Sequence, residues 1–264
     1  MMRGGRLIAL LTDFGLQDHF VGVMKGVIAG IAPAARVVDV CHEVQPQELD
    51  QARFLLRASR PWFPKGTIFV CVVDPGVGTE RRALCVEAGG QVFIGPDNGL
   101  FTEPLAEKGA RARAITNPQA MLPDVSRTFH GRDVFAPAAA HIAAGLRPSQ
   151  LGKLVRDPVR LPPLEPVRTG RRFWTGKVMH IDRFGNLITN LPAQEFLPPA
   201  VRGIQASAGF ARISRVADAY AAAPDGELFL IAGSCGTVEI SMKQASAAKK
   251  LCVAIGAPVE IEVW

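Results

Sequence analysis

Thr67-Ile68-Phe69-Val70-Cys71-Val72-Val73, followed at once by Asp74-Pro75-Gly76-Val77-Gly78, is the stretch on which the fold reading turns. Every residue from Ile68 to Val73 is apolar, and β-branched side chains dominate. A half-exposed strand alternates polar and apolar positions. A strand without that alternation is covered on both faces, as in a parallel sheet flanked by helices.

The segments on either side agree. Upstream, Leu7–Leu11 is another continuous apolar run, Phe20–Ile31 carries apolar residues at helical spacing, and Val37–Val40 is a second short run. Glu48–Arg60, with Leu49, Ala52, Leu55 and Leu56 on one stripe, predicts an amphipathic helix that stops at Pro61. Downstream, Ala83–Ala88 and Gln91–Ile94 form a hairpin pattern around Gly89-Gly90, and Asp133–Leu146 reads as a helix with Gly145 near its end. The expected class is α/β, with a mostly parallel N-terminal sheet and flanking helices.

The composition then changes. Asp157–Gly170 carries four prolines and few helix formers, which suits a semi-rigid linker. Beyond it, short β-rich segments at Arg172–Ile181, Asn186–Asn190, Arg202–Ala206, Leu228–Ala232, Thr237–Ser241 and Pro258–Val263 are separated by turn residues. One helical stretch, Ala245–Ile255, interrupts them. This pattern predicts a smaller antiparallel β-barrel. The expected organisation is an α/β domain over residues 1–158, a linker over 159–170 and a barrel domain over 171–264.

With 264 residues and 48% hydrophobic content the chain can bury a core in each domain, and disorder is excluded. Its net charge of +6 comes with no basic run of five and few aromatics, so nucleic acid is not an expected partner. The basic start Met1–Arg6 precedes an apolar run that Thr12-Asp13 interrupts, unlike a secretory leader. Phe135–Leu146 is too short to span a bilayer. A cytoplasmic protein with no membrane partner is expected. The five scattered cysteines (41, 71, 85, 235, 252) contain no C-x-x-C and read as buried reduced thiols, not a disulfide frame or zinc site.

In open parallel sheets, ligands sit beyond the carboxyl ends of the strands. Asp13 leaves the first strand, Asp74 the third, and Gly95-Pro96-Asp97-Asn98-Gly99 follows the fourth run. Asp in a turn is ordinary, but three such turns at strand exits suggest a site. Gly76-Val77-Gly78 is not a phosphate loop: no helix follows it and Arg81 stands where a third glycine belongs. Carboxylates here suit ribose hydroxyls, amines or a cation better than phosphate. His130 sits in a loop at a helix start, with Asp133 as the expected N-cap. No second histidine pair has metal-ligand spacing, so no metal is expected. His19, His42, His141 and His180 read as structural, and the turns His180–Asn186 and Gly233–Gly236 would not by themselves be taken for sites.

The motifs TDFG (Thr12–Gly15), VVDPGVGTERR (Val72–Arg82), IGPDNGLFT (Ile94–Thr102), FHGRDVFAPAAAH (Phe129–His141), HIDRFGNLITNL (His180–Leu191) and GSCGTVEI (Gly233–Ile240) occur in this order. Together they closely resemble the S-adenosyl-L-methionine hydroxide adenosyltransferases (S-adenosylmethionine hydrolases), relatives of the fluorinases and chlorinases. The resemblance implies an α/β domain plus a β-barrel, and a homotrimer whose active sites lie between subunits. It implies a catalytic set of Asp74, Arg81 and His130, with Arg82 on the opposite strand face. Asp13 would hold the ribose hydroxyls, Asp182 the methionine ammonium, Phe184 and Asn186 the adenine side, and Ser234 the methionine carboxylate. Asn98 is a further shared substrate-side position. No cofactor is implied, because S-adenosyl-L-methionine is itself the substrate.

The chain departs from its relatives at Gly233-Ser234-Cys235-Gly236, where the family often has Asn-Ser-Ser-Gly. It also departs at Gln47, where fluorinases carry an aromatic. The second departure, with no inserted loop in the first domain, argues against a halide pocket. The implied reaction is attack of water or hydroxide on the ribose C5′, giving adenosine and L-methionine. In it His130 takes the proton, Asp74 orients, and Arg81 stabilises developing hydroxide. The alternatives are a chlorinase-type halide adenosyltransferase and a non-catalytic S-adenosylmethionine- or adenosine-binding protein.

Overall fold

A computed structural model describes residues 5–198 and 203–264. The chain divides into two compact units, Met1–Pro162 and Pro163–Trp264.

The first unit contains β1 (Leu7–Thr12), α1 (Phe20–Ile31), β2 (Arg36–Cys41), α2 (Leu49–Ser59), β3 (Ile68–Val72), β4 (Ala83–Ala88), β5 (Gln91–Pro96), α3 (Thr102–Ala106), β6 (Arg111–Ala114), α4 (Ala136–Ala143) and β7 (Leu154–Val155). Its sheet runs β2-β1-β3-β5-β4-β6-β7. The first four strands are parallel neighbours, and β4, β6 and β7 add an antiparallel wing, so the sheet is mixed. The β4–β5 hairpin turns through Gly89 and Gly90, both at positive φ, as a two-residue connection requires.

Burial on both faces follows the strand period. Ile8, Leu10, Ile68, Val70 and Val72 pack with α1 and α4 on one side. Ala9, Leu11, Phe69, Cys71 and Val73 pack with Ala52 and Leu56 of α2 on the other. The register matters for function: Thr12 pairs with Val72, so Asp13 and Asp74 leave the sheet side by side at one edge.

The helix expected over Asp133–Leu146 divides. Gly131–Phe135 forms a single π-turn and only Ala136–Ala143 is α-helical. Pro137 has no N–H to give, so the ladder before it widens, and the Ala136 amide bonds back to the Gly131 carbonyl. Asp133 is consequently not an N-cap. It lies inside the π-turn, fully buried, and accepts from the Ser126 amide and the Arg132 side chain.

The second unit contains β8 (Val167–Arg168), β9 (Phe173–Ile181), β10 (Leu187–Pro192), α5 (Ala193–Phe196), β11 (Ile204–Ala208), β12 (Ala211–Ile213), β13 (Leu228–Ala232), β14 (Thr237–Met242), α6 (Ala247–Leu251) and β15 (Pro258–Val263). The strands pair antiparallel in the order β12-β11-β15-β9-β10-β14-β13, with β8 on β9. A bridge between Val216 and Leu230 nearly closes this sheet into a barrel. Its interior holds Val178, Leu187, Leu191, Phe196, Leu230, Val238, Ile240 and Ile261. Arg202, the start of one expected strand, and residues 1–4 of the basic start lie outside the described residues. The helix expected over Ala245–Ile255 is shorter: Ser246 caps it by accepting from the Lys249 amide, and Cys252 ends it in the left-handed region.

The proline-rich segment is tied down locally. Val159 donates to Asp97 and Leu161 to Thr102, while Asn190 donates to the Leu164 carbonyl. All five cysteines are free. Cys71 and Cys85 are buried, and burial pushes their thiol pKa values well up. Cys235 and Cys252 are exposed, contrary to the expectation of uniformly buried thiols, because they sit in a surface turn and a helix end.

Candidate active site

At the edge where β1 and β3 end, a cavity of about 320 Å³ is lined by Asp13, Phe14, Gln47, Asp74, Phe129 and His130, among others. Asp74 begins the loop out of β3, and Arg81 ends the same loop just before β4. The loop closes on itself through Thr79, whose hydroxyl donates to the Gly76 carbonyl at 2.7 Å. Gly78, at φ +78°, passes so close to Arg127 that an added Cβ would lie 2.5 Å from its carbonyl oxygen.

The Arg81 guanidinium grips Asp74 with two N–H groups, Nε to Oδ1 at 2.8 Å and Nη2 to Oδ2. Nη2 also reaches His130 Nδ1 at 2.7 Å. The two ion-pair side chains are only 10% and 5% exposed, so the pair works in a low-dielectric setting. The Phe135 ring lies under the guanidinium. Arg82 turns the other way and bonds Asp97 and Asp157, as successive residues entering a strand must.

Burial, and then the neighbouring Arg81 charge, hold the His130 pKa below its usual value, against the opposing pull of Asp74 and Asp133. A guanidinium nitrogen can only donate. His130 Nδ1 is therefore the acceptor, and the neutral ring carries its proton on Nε2. In this tautomer the ring proton lies on Nε2, and a hydrogen bond with the Ser126 main chain favours the charged ring.

Asp13 accepts from the Gln47 amide at 2.9 Å. Burial raises its pKa, two backbone hydrogen bonds lower it, and the negative charge of Asp74 raises it again. Phe14, Phe20 and Phe129 pack edge-on or tilted at 5.1–5.9 Å and form an apolar wall. Sequence reasoning gave these aromatics no role, although Phe14 and Phe129 lie inside the TDFG and FHGRD motifs. Asn98 does not line the cavity. Its amide donates to the Val73 carbonyl at 2.9 Å and accepts from Leu100, bracing the end of β3.

In the second unit a cavity of about 640 Å³ is lined by Asp182, Phe184, Asn186, Tyr220, Gln244 and Ser246, among others. Asp182 Oδ1 accepts from the Phe184 and Asn186 amides, and Oδ2 from the Asn186 side chain, each at 2.9 Å. These bonds fold the turn that presents Phe184, 79% exposed. Ser234 is not among the lining residues; it belongs to the exposed turn at Gly233–Gly236, where the Gly236 amide bonds the Gly233 carbonyl. Tyr220, the only tyrosine of the chain, was missed by sequence reasoning. Its hydroxyl donates to Glu239 at 2.7 Å. Burial, and then the Glu239 bond, push its pKa up to about 12.

Among the described residues no group of three or more His, Cys, Asp or Glu side chains could hold a metal ion. Nor is any helix among them long and apolar enough to cross a membrane.

Comparison with known proteins bears on both units. Residues 8–152 match the SAM hydroxide adenosyltransferase N-terminal domain, and residues 176–260 the C-terminal domain of the same family. The (R)-S-adenosyl-L-methionine hydrolase of Thermus thermophilus is 39% identical, over 97% of this chain and 99% of that protein. A fluorinase of Nocardia brasiliensis is 29% identical over 70% of this chain and 71% of its own length. The crystal structure of an uncharacterized conserved protein from Thermotoga maritima superposes with a TM-score of 0.88. It is 35% identical, with 96% of this chain and 99% of that one covered.

Proposed function

The chain belongs to the SAM hydroxide adenosyltransferase family, and from that premise we propose that it hydrolyses S-adenosyl-L-methionine to adenosine and L-methionine. The observation that carries the site assignment is the convergence of Asp74 and Arg81, from the two ends of one loop, with His130 from another, beside a cavity that Asp13 also lines.

The chemistry asks little of the protein beyond aim. The leaving group is a neutral thioether expelled from a sulfonium, so departure needs no acid. What remains is to hold one water or hydroxide in line with the C5′–S bond, and orientation of this kind supplies about 7–11 kcal/mol. The His130 Nε2–H donates to the nucleophile's oxygen and fixes its position. Asp74, kept as a carboxylate by Arg81, accepts from the same nucleophile and draws off its proton as the C–O bond forms. Arg81 balances the charge that collects between them. Asp13 accepts from the ribose hydroxyls. Asp182 receives the methionine ammonium on the lone pairs its own turn leaves free, and Phe184 and Asn186 face the adenine. Ser234 remains a proposed contact to the methionine carboxylate, and Asn98 acts by bracing β3.

Written this way, the reaction needs no cofactor. A cytoplasmic homotrimer with intersubunit active sites accompanies the proposal. The family resemblance supports it.

The test is product analysis in oxygen-18 water with chloride present. Label in the adenosine 5′-hydroxyl is expected. Accumulation of 5′-chloro-5′-deoxyadenosine instead would establish the halide reaction, and tight binding without turnover would establish a sensor.

A further inference from the structure

We infer that His42 is a positioning residue for Asp13, acting through Thr12. The inference rests on the assignment of Asp13 to the ribose hydroxyls made above. His42 is 3% exposed and follows β2, the edge strand of the first sheet. The β1–β2 pairing slips between Leu10 and Leu11, so that Leu10 faces Asp39 while Leu11 faces Cys41. Such an irregularity re-aims side chains, and here it sets His42 against Thr12.

The contacts form a chain. The Thr12 hydroxyl and His42 Nδ1 are 2.8 Å apart. The same hydroxyl accepts from the Phe14 amide at 3.2 Å, spanning the residue between them, which is Asp13. On its other side the imidazole places Nε2 at 3.1 Å from Asp39 Oδ1, and Asp39 Oδ2 takes the Lys25 ammonium at 2.7 Å. The main chain adds a second tie: the Gly15 amide donates to the His42 carbonyl at 2.7 Å. A third tie, five residues beyond His42, is the Gln47 amide on the Asp13 carboxylate.

Asp13 is thus bracketed. The Thr12 hydroxyl before it holds the Phe14 amide and meets the His42 ring, the Gly15 amide after it meets the His42 main-chain carbonyl, and its own carboxylate is fixed by the segment that His42 begins. A carboxylate that must accept two hydroxyls at once is sensitive to small rotations of its backbone. Thr12 and His42 restrain that rotation without touching substrate.

The experiment uses the full-length enzyme and two substrates, S-adenosyl-L-methionine and its 2′-deoxyribose analogue. Thr12→Val keeps the shape and removes the hydroxyl, and Thr12→Ser restores it. Thr12→Val is expected to raise KM for S-adenosyl-L-methionine about tenfold with a smaller change in kcat. On the 2′-deoxy substrate the rise shrinks to about twofold, and Thr12→Ser returns most of the loss. If Thr12→Val does not fold, His42→Gln carries the same comparison.

An equal penalty on both substrates, or none on either, overturns the inference. Asp13→Asn on the same pair keeps the underlying assignment separate. If Asp13→Asn fails to discriminate the two substrates, the ribose assignment itself is wrong. If it discriminates and Thr12→Val does not, only the role of His42 falls.

Discussion

Replacing Arg81 with methionine removes the one charge shared by Asp74 and His130, and the structure sets both the sign and the size of the result. Asp74 loses the partner of both carboxylate oxygens while remaining 5% exposed. Orphaning a buried charge in this way costs about 3–5 kcal/mol of stability, and the adjoining cavity, by admitting water, keeps the value near 3. His130 responds in the opposite sense to its present state. Burial and Arg81 now lower its pKa and Asp74 raises it. With Arg81 gone, one lowering influence disappears and the raising one stays, so the pKa climbs.

In the parent protein the folded ring binds fewer protons than the unfolded one as pH falls through 6.5, the ordinary histidine value. The stability carried by the neutral ring is therefore present above that pH and is lost below it, and the acid limb of kcat/KM lies below it too. In Arg81→Met the acid limb moves to higher pH and the stability lost below pH 6.5 shrinks, while turnover drops by roughly 10²–10⁴ as Asp74 and His130 lose their common partner. Denaturant melts at several pH values, imidazole proton NMR and chromatographic assay of adenosine measure the three effects. A His130 that titrates at the same pH or lower in the variant, or a stability unchanged within about 0.5 kcal/mol, refutes the bridging role given to Arg81.

Two further expectations concern the loops that carry the site. Gly78→Ala forces a Cβ to within 2.5 Å of the Arg127 carbonyl oxygen at a φ of +78°. It should destabilise the protein by about 1–3 kcal/mol and depress turnover, since Asp74 and Arg81 share that loop; an unshifted denaturation midpoint would show the loop to be freer than described. Phe184→Ala removes a side chain that is 79% exposed, so stability should stay within about 0.5 kcal/mol while KM for S-adenosyl-L-methionine rises. An unmoved KM would remove Phe184 from the adenine side.

What the sequence discloses and what it conceals separate along physical lines. The runs Leu7–Leu11 and Thr67–Val73 announce doubly covered strands because burial on both faces leaves no polar position. Strand β6, Arg-Ala-Arg-Ala at Arg111–Ala114, has no such run, and β7 and β8 are two residues each, too short to carry a period. The π-turn at Gly131–Phe135 was hidden because its cause, Pro137, lies downstream of the bonds it alters. At the site, Asp13 and Asp74 stand out as carboxylates at strand exits, whereas Arg81 and His130 take their roles only from the family resemblance. The tautomer of His130 is not legible in the sequence, since it depends on which ring nitrogen meets the guanidinium. His42, in the unremarkable string Val-Cys-His-Glu, acquires meaning only when Thr12 is brought beside it.

Gln47 adopts a left-handed backbone, φ 68°, in order to aim its amide at Asp13. A residue with a Cβ sits there at some conformational expense, of order 1 kcal/mol, and the rest of the fold must hold it in place. Because the donor is main chain, this interaction survives any exchange of the side chain. Position 47 can therefore drift between an amide and an aromatic ring, reshaping the wall of the pocket, without loosening the carboxylate behind it. A change of side chain here alters the lining that Gln47 gives the cavity, while the Asp13 carboxylate keeps its main-chain donor.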